Sequence, residues 1–265
     1  MIIILAALSL ATGALETSVR QPIGKWAIDY GERACTLSRS YSEDQITLQI
    51  AVTPLSENMD VVLVAPTSLT KRSFGPATVE IVGKEKFDTV FVRKPSTSPN
   101  SSEFRLTLPA GFQSILDEQA VISLKLKGET VLPFELRQWS SATKALSACA
   151  ESLLRHWSID PDQVANIATA PSPVGDRSKW IGYYDYPTSA VANEQEGDSL
   201  ILFNVDVNGR VTHCKSVHSS GVPELDAAAC AAIMRRAKYR PALDINGNPA
   251  EASVVRQVLW RLPLW

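Results

Sequence analysis

The stretch Gly197–Tyr239 constrains the fold more than any other part of this chain, because it predicts a strand, a hairpin, a second strand and a helix in that order. Apolar residues alternate with others over Ile201–Val207, which is the period-2 pattern of a half-buried strand. Asn208-Gly209 then favours a hairpin turn, because both residue types accept a positive φ. The sequence therefore predicts that a second strand, Val211–Val217, runs back beside the first.

A helix is predicted immediately after this hairpin. Pro223 suits the first helical turn, where the missing N–H is not needed. Pro241 ends the pattern. Between them, apolar residues recur at helical spacing and cations fill the last turn, where they suit the helix dipole: Leu225, Ala229, Ala232, Ile233, Arg235, Arg236 and Lys238.

Length and composition limit the classes of protein to which the chain can belong. A length of 265 residues favours one large domain or two modest ones. The hydrophobic content of 45% and the charged content of 20% are typical of a globular protein. A net charge of −2 argues against nucleic-acid binding, which needs a basic field.

Residues 1–14 are interpreted as a signal peptide for export. The apolar run ends at Glu16, which makes it shorter than the roughly 20 residues that span a bilayer. Thr12 and Ala14 supply the small residues of a signal-peptidase site, with cleavage expected after Ala14. The alternative is a short N-terminal anchor that is retained in the membrane.

The even number of cysteines agrees with export, because 4 cysteines suit an oxidising compartment. Four cysteines allow three pairings. A turn centred on Asn208-Gly209 places Cys214 opposite Phe203, on the face that the helix covers, and Cys230 lies on the flank of that helix. We therefore expect a Cys214–Cys230 bond and, by elimination, a Cys35–Cys149 bond; the alternative is four free thiols in a cytosolic protein.

Residues 16–160 are predicted to form a mainly β domain that one helix closes. Short β-type runs separated by turn residues are typical of an antiparallel sandwich or barrel. A helix is expected from Ser140 or Ser141, either of which can cap it, to Trp157, and Cys149 on its apolar side would dock it. Residues 161–185 are rich in Pro and Gly and are interpreted as a linker. The β-type runs are Gln45–Val52, Met59–Ala65, Thr78–Val82, Thr89–Arg93, Glu103–Leu108, Ala120–Leu126 and Thr130–Leu136.

No residue pattern in the chain indicates catalysis. His156 and Asp160 stand at helical spacing, but no nucleophile frame accompanies them. Glu43-Asp44 and Asp117-Glu118 are adjacent pairs in turn-like positions, so we expect them to be solvated. An enzyme with its site in the β domain remains an alternative without a candidate residue.

The histidines and cysteines also predict no metal or cofactor site. His213 and Cys214 are neighbours on a strand and point to opposite faces, so they cannot easily hold one ion, and His218 lies on the opposite face from His213. Asp206 and Asp226 are interpreted as a turn residue and a residue of the first helical turn.

A series of motifs in the last third of the chain occurs in a known order and spacing. The series runs through Tyr186-Pro187, Phe203-x-Val205-Asp206-x-x-Gly209-Arg210-Val211, Ser219-Ser220-Gly221, Leu225-Asp226-x-Ala228-Ala229, Ala237-x-Tyr239-x-Pro241-Ala242, Gly247-x-Pro249 and Val254-x-Arg256-x-Val258-x-Trp260-x-Leu262. Over about residues 183–265 the chain resembles the C-terminal domain of TonB-type energy transducers, and we place that domain at residues 186–265.

The resemblance implies an α+β fold in this region, with a three-stranded antiparallel sheet and helices on one face. It also implies a periplasmic location and a partner, the TonB box of an outer-membrane receptor, which adds as a strand beside the last strand of the domain. That edge is Ser253–Leu262 here. The residues expected to bind the partner are Val254, Val255, Arg256, Gln257, Val258, Leu259 and Trp260, with possible docking at Tyr186 and Pro187.

The leading hypothesis is a non-enzymatic periplasmic protein that takes part in energy-coupled transport. Contact with an inner-membrane motor complex is expected only if the chain is anchored, which is the alternative location. A full transducer of this family consists of a membrane anchor, a long Pro-rich spacer and this domain. The present chain departs from that order, because a β domain occupies the place of the spacer. A soluble periplasmic adaptor is therefore the alternative function, and an exposed edge strand could also pair two copies of the chain.

Overall fold

A nine-stranded antiparallel sheet forms the N-terminal half of the protein. The computed structural model describes residues 19–41, 46–69, 73–127 and 129–262. The strands are β1 (Pro22–Tyr30), β2 (Cys35–Tyr41), β3 (Ile46–Val52), β4 (Asn58–Pro66), β5 (Phe74–Ile81), β6 (Lys86–Pro95), β7 (Ser101–Pro109), β8 (Val121–Leu126) and β9 (Glu129–Glu135). They pair in the order β1-β2-β3-β4-β7-β6-β5-β8-β9.

The two ends of this sheet approach each other, so that the sheet is nearly closed. The Arg20 N–H donates to the Pro133 carbonyl at 2.8 Å, and the Tyr41 hydroxyl donates to the Glu135 carbonyl at 3.0 Å. The interior is filled by apolar side chains, which alternate with more exposed ones along strands such as β3 and β7. The α+β fold class with an antiparallel β domain is confirmed.

Strands β1 and β2 were not among the predicted β-type runs, and Arg39 gives the reason for β2. Arg39 occupies an inward position of β2 and is only 4% exposed, which interrupts the apolar alternation. Its guanidinium donates to the carbonyls of Arg137 and Gly24 and stacks on the Trp26 ring at 5.4 Å. A buried cation that donates to distant backbone groups leaves no local signal in the sequence.

Helix α1 (Trp139–His156) closes the β domain, as predicted. The Cys35–Cys149 bond joins it to β2. Its N-terminus is capped differently from the expectation, because the Glu118 carboxylate accepts the N–H groups of Trp139 (3.0 Å) and Ser140 (2.6 Å). Glu118 is exposed, as expected, and the hydrogen bonds from Ser140 and Trp139 hold its pKa below the ordinary value.

The segment predicted as a linker contains short elements, and two of them pair with strands of the C-terminal region. These are α2 (Pro161–Ala165), β10 (Ile167–Thr169) and β11 (Ser172–Pro173), followed by single 3-10 turns at Arg177–Lys179 and Tyr183–Asp185. Strand β10 pairs with β15 (Ala242–Asp244), and β11 pairs with β14 (Tyr239–Arg240). Where the domain boundaries lie stays a prediction.

The C-terminal region has the predicted strand–hairpin–strand–helix order and ends in a third long strand. Its further elements are α3 (Thr188–Ala192), β12 (Gly197–Val205), β13 (Val211–His218), α4 (Pro223–Arg236), β16 (Pro249–Ala250) and β17 (Ala252–Trp260). The three-stranded sheet has the order β13-β12-β17, and α4 packs on β12 and β13. The Cys214–Cys230 bond joins α4 to β13, so the predicted pairing is confirmed.

The predicted register of the hairpin is correct at Cys214, although the turn differs from the expected one. Phe203 pairs with Cys214, but Val205 pairs with Val211, so the loop is longer than a two-residue turn. His213 has a positive φ of 45° at a bulge, which shifts the register between the two pairs. The bulge compensates for the longer loop and leaves Cys214 facing α4.

Strand β12 is buried on both faces, whereas the sequence predicted a half-buried strand. Ile201 and Phe203 are fully buried in the core beneath α4. Leu200 and Leu202, each 3% exposed, join the core of the β domain together with Val255. One face of the small sheet is therefore covered by its own helix and the other by the N-terminal domain.

In the described residues, no helix has the length and apolar character needed to cross a membrane. The predicted signal peptide, residues 1–14, lies outside the described residues, as does the predicted turn pair Glu43-Asp44.

Candidate functional site

Strand β17 forms one edge of the small C-terminal sheet. It pairs with β12 along its whole length, from Gly197 opposite Trp260 to Val205 opposite Ala252. On its other side the Val255 N–H donates to the Leu55 carbonyl, which belongs to the loop between β3 and β4, at 2.9 Å. A segment of the N-terminal domain therefore already occupies one position on this edge.

The contact at Val255 shows which backbone groups of β17 point away from the sheet. In an antiparallel ladder, alternate residues direct both N–H and C=O groups to the same side. Because Val255 donates outward, Ser253, Gln257 and Leu259 direct their groups outward as well. Among the described residues, Gln257 and Leu259 have no hydrogen-bond partner on this outer side.

The side chains of the seven predicted binding residues divide between a buried set and an accessible set. Val254, Val258 and Trp260 are 3%, 6% and 3% exposed and pack in the core beneath α4. Val255 is buried against the β domain. Gln257 and Leu259 are exposed, and the Arg256 guanidinium lies 5.1 Å from the centre of the Trp180 ring. Only the last three side chains could contact a partner directly.

Tyr186 and Pro187 lie beside the end of β17. The Tyr186 ring packs edge-on against Trp260 with centroids 5.1 Å apart, and its hydroxyl donates to the Gln195 carbonyl at 2.5 Å. Burial raises the pKa of Tyr186. Pro187 is half-buried before α3. In this arrangement Tyr186 supports the last residue of the edge strand, and a docking role for either residue stays a prediction.

A partly buried hydrogen-bond network at the start of α4 joins this helix to the sheet. The Asp226 carboxylate accepts the hydroxyls of Ser199 (2.6 Å) and Ser219 (2.5 Å) and the N–H of Ser220 (3.0 Å). Burial opposes ionisation of Asp226, but these hydrogen bonds outweigh it and lower the pKa below its ordinary value of 3.8. Asp226 is thus a residue of the first helical turn, as predicted, and it ties β12 to α4.

An ion pair connects the loop that contacts Val255 to the 161–185 segment. Glu57 forms an ion pair with Arg177 of the 161–185 segment. Burial, together with the nearby Glu57 carboxylate, raises the pKa of Tyr239. Neither Leu55 nor Glu57 was recognised from the sequence, because their contacts join segments that are far apart along the chain.

A groove of about 1040 Å³ runs along the C-terminal half of the β17 edge. One side is formed by Leu200, Gln257 and Leu259, and the opposite side by the outer face of the N-terminal sheet. A second groove of about 1050 Å³ lies on the other side of Leu55, next to Ser253. The Leu55 loop therefore divides the edge into two accessible parts.

The histidines do not form a site within the described part of the chain. His156 is exposed at the end of α1. His213 occupies the bulge of β13, and His218 Nδ1 lies 3.7 Å from Glu32 of the N-terminal domain. Among the described residues, no group of three or more His, Cys, Asp or Glu side chains is positioned to hold a metal ion.

Comparison with known proteins identifies the C-terminal region. Residues 183–262 match the family model described as the Gram-negative bacterial TonB protein C-terminal, which confirms the resemblance predicted for this part of the chain. A search of curated proteins and a search of solved structures each returned no match. The match covers about the last third of the chain, and the nine-stranded domain lies outside it.

Proposed function

We propose that this chain is a non-enzymatic periplasmic protein that binds the TonB box of an outer-membrane receptor by strand addition to β17. The observation that carries this proposal is the outward, unpaired backbone of Gln257 and Leu259, in a region that matches the TonB C-terminal family. The match supports a role in energy-coupled transport and in the envelope of a Gram-negative bacterium.

The physical basis is the backbone of the edge strand. Unpaired N–H and C=O groups can be satisfied by an extended peptide, whose affinity then comes mainly from main-chain hydrogen bonds. The bond from Val255 to the Leu55 carbonyl supports this reasoning, since a segment from outside the sheet already pairs there. Gln257 and Leu259 offer the next two outward positions along the strand.

Titration of the isotope-labelled full chain with TonB-box peptides from the receptors of its own bacterium tests the proposal by NMR. We expect the amide signals of Gln257 and Leu259 to shift and their hydrogen exchange to slow, while Ile201 on the central strand changes little. The control is the same peptide with alternate backbone nitrogens methylated, which removes the donors that pair with an edge.

Equal shifts with the methylated peptide, or none with either, would exclude strand addition. A second copy of the chain is the competing occupant of the edge. Light scattering of the protein without peptide measures this, and a dimer that peptide does not dissociate would also contradict the proposal.

A further inference from the structure

The loop between β3 and β4 lies against β17 in the way that a short added strand would; we call residues 53–57 the edge loop. Ser56 and Val255 form a parallel β-bridge, and the Val255 N–H donates to the Leu55 carbonyl at 2.9 Å. A peptide that is added to a sheet edge makes main-chain bonds of the same kind. The edge loop therefore occupies a position on β17 that a bound segment could use.

The edge loop separates the two grooves that lie along β17. Ser56, Glu57 and Arg177 line both the groove of about 1040 Å³ and the groove of about 1050 Å³. Gln257 lines the first groove, and Ser253 lines the second. Without the loop, the two grooves would form one channel along residues 253–259, which is roughly 20 Å of strand.

The base of the edge loop is fixed within its own domain, whereas contacts outside the hairpin hold its tip. At the base, Val52 pairs with Met59 across β3 and β4. At the tip, the Leu55 side chain packs on the apolar core and its carbonyl accepts from Val255. The ion pair from Glu57 then connects the loop to the 161–185 segment.

Leu55 has an uncommon backbone conformation at this tip. Its φ of 61° lies in the left-handed region, which is strained for a bulky residue other than glycine. Strain of this kind persists only where the surroundings hold it, and it is concentrated at functional sites and switch regions. The tip is therefore held beside Val255 against its local preference, and the strain would be released when the tip leaves the edge.

We propose that the edge loop is an autoinhibitory element, which leaves β17 when a partner segment binds and lets that segment pair along residues 253–259. This inference rests on the proposed function, because it requires strand addition to β17. The N-terminal domain thereby controls access to the edge. With the loop in place, a segment can pair continuously only at Gln257 and Leu259, whereas displacement of the loop adds Val255 and Ser253.

The closed loop reduces the affinity for such a segment by a predictable factor. The apparent Kd equals the intrinsic Kd divided by the fraction of molecules in which the loop is open. Closure includes the main-chain hydrogen bond at Val255, and one such bond changes an equilibrium constant about three- to tenfold. Removal of the loop should therefore lower the Kd by about this factor.

The test variant replaces residues 53–58 with Asn-Gly, which joins Val52 to Met59 by a two-residue hairpin turn. Fluorescence anisotropy measures the Kd of TonB-box peptides that are long enough to pair along residues 253–259. We expect this variant to bind them about three- to tenfold more tightly than the wild type does.

The matched control replaces residues 96–101 with Asn-Gly, which joins Pro95 to Ser102. It shortens another hairpin of the same domain by the same length, and residues 96–101 line neither groove. This variant should bind the peptides as the wild type does.

A measurement on the wild-type chain does not depend on whether the shortened variants fold. Saturation with peptide should lower the heteronuclear ¹⁵N NOE of Leu55 and Ser56, because a released loop moves on the picosecond-to-nanosecond timescale. The NOE of Ile201 on the central strand should stay constant. A loop that merely lies near the bound peptide would keep its NOE values.

Three results would overturn this inference alone, provided that the peptides shift the amide signals of Gln257 and Leu259. These are an unchanged Kd in the folded test variant, equal tightening in the test and control variants, and NOE values of Leu55 and Ser56 that do not fall. Absence of any amide shift at Gln257 and Leu259 would overturn the proposed function as well.

Discussion

At the scale of single residues, Asp226 makes the stability of the C-terminal region depend on pH. Its carboxylate accepts from Ser199, Ser219 and Ser220, and its pKa in the folded protein lies below the ordinary value of 3.8. A lowered pKa stabilises the fold above the ordinary value, and this contribution is lost as the pH falls through the folded pKa. We expect Asp226→Asn to reduce the free energy of unfolding at pH 7 by about 1 kcal/mol, allowing for partial exposure.

Urea unfolding at pH 7 and at several values below 3.8 measures this effect. The difference between the wild type and Asp226→Asn should shrink as the pH falls, because the wild-type carboxylate becomes protonated. Glu224→Gln is a matched control: Glu224 is also acidic and in the first turn of α4, but it is exposed. A loss for Asp226→Asn that stays constant at every pH would show that the hydrogen bonds do not depend on its charge.

Residues such as Asp226 could be placed from the sequence, whereas Arg39 and Glu118 could not. A carboxylate in the first turn of a helix is a local signal. The groups that satisfy Arg39 and the helix that Glu118 caps are supplied by distant parts of the chain. Long-range polar contacts of this kind become visible only when the fold is known.

At the scale of elements, the outward donors of β17 can be removed without breaking its pairing with β12. The Leu259 N–H points away from β12, so Leu259→Pro should preserve the ladder, as proline does on the outer side of edge strands. We expect this variant to unfold at nearly the wild-type temperature and to weaken receptor-peptide binding about three- to tenfold, the equivalent of one hydrogen bond.

Two further variants serve as controls for Leu259→Pro. Binding is measured by calorimetric titration and folding by circular dichroism. Leu259→Thr removes the same exposed side chain but keeps the N–H, so it should bind within about twofold of the wild type. Val258→Pro places the proline on an inward donor opposite Ser199 and should destabilise the fold. If Leu259→Pro folds and binds as the wild type does, the outer edge of β17 is not the binding site.

The main elements of both halves were predictable, because seven predicted β-type runs coincide with β3 to β9 and only β1 and β2 were missed in the N-terminal sheet. Alternation, turn residues and a terminal proline marked β12, β13 and α4, and the match over residues 183–262 agrees with them. The predicted pairing of Cys214 with Phe203 held because the bulge at His213 compensates for a loop that the sequence did not reveal. A register can therefore be right at one position while the turn beside it is different.

At the scale of the whole molecule, one face of the C-terminal sheet joins the apolar core of the N-terminal domain, which the sequence could not indicate. The run Leu-Ile-Leu-Phe at Leu200 to Phe203 is compatible with a strand that is buried on one face or on both. In the structure both faces are buried, because the N-terminal domain covers Leu200 and Leu202. The candidate site has the same origin, since Leu55 reaches β17 only through this packing.

The packing of this face on the N-terminal domain predicts how the C-terminal region behaves when it is separated from the rest of the chain. In a fragment of residues 161–265, Leu200, Leu202 and Val255 would lose the domain that buries them and would join the exposed Leu259 in one apolar patch. Contiguous exposed patches of this kind drive association. We expect the fragment to form dimers or larger species at micromolar concentration in light scattering, whereas the full chain does not.

Threonine at Leu200, Leu202 and Val255 suits a β-strand and reduces the exposed apolar area of the fragment. The triply substituted fragment should therefore be monomeric at the same concentration. A control fragment with Val207→Thr, an exposed loop position away from this face, should associate as the unaltered fragment does. A monomeric unaltered fragment would mean that the N-terminal domain is not needed to cover this face.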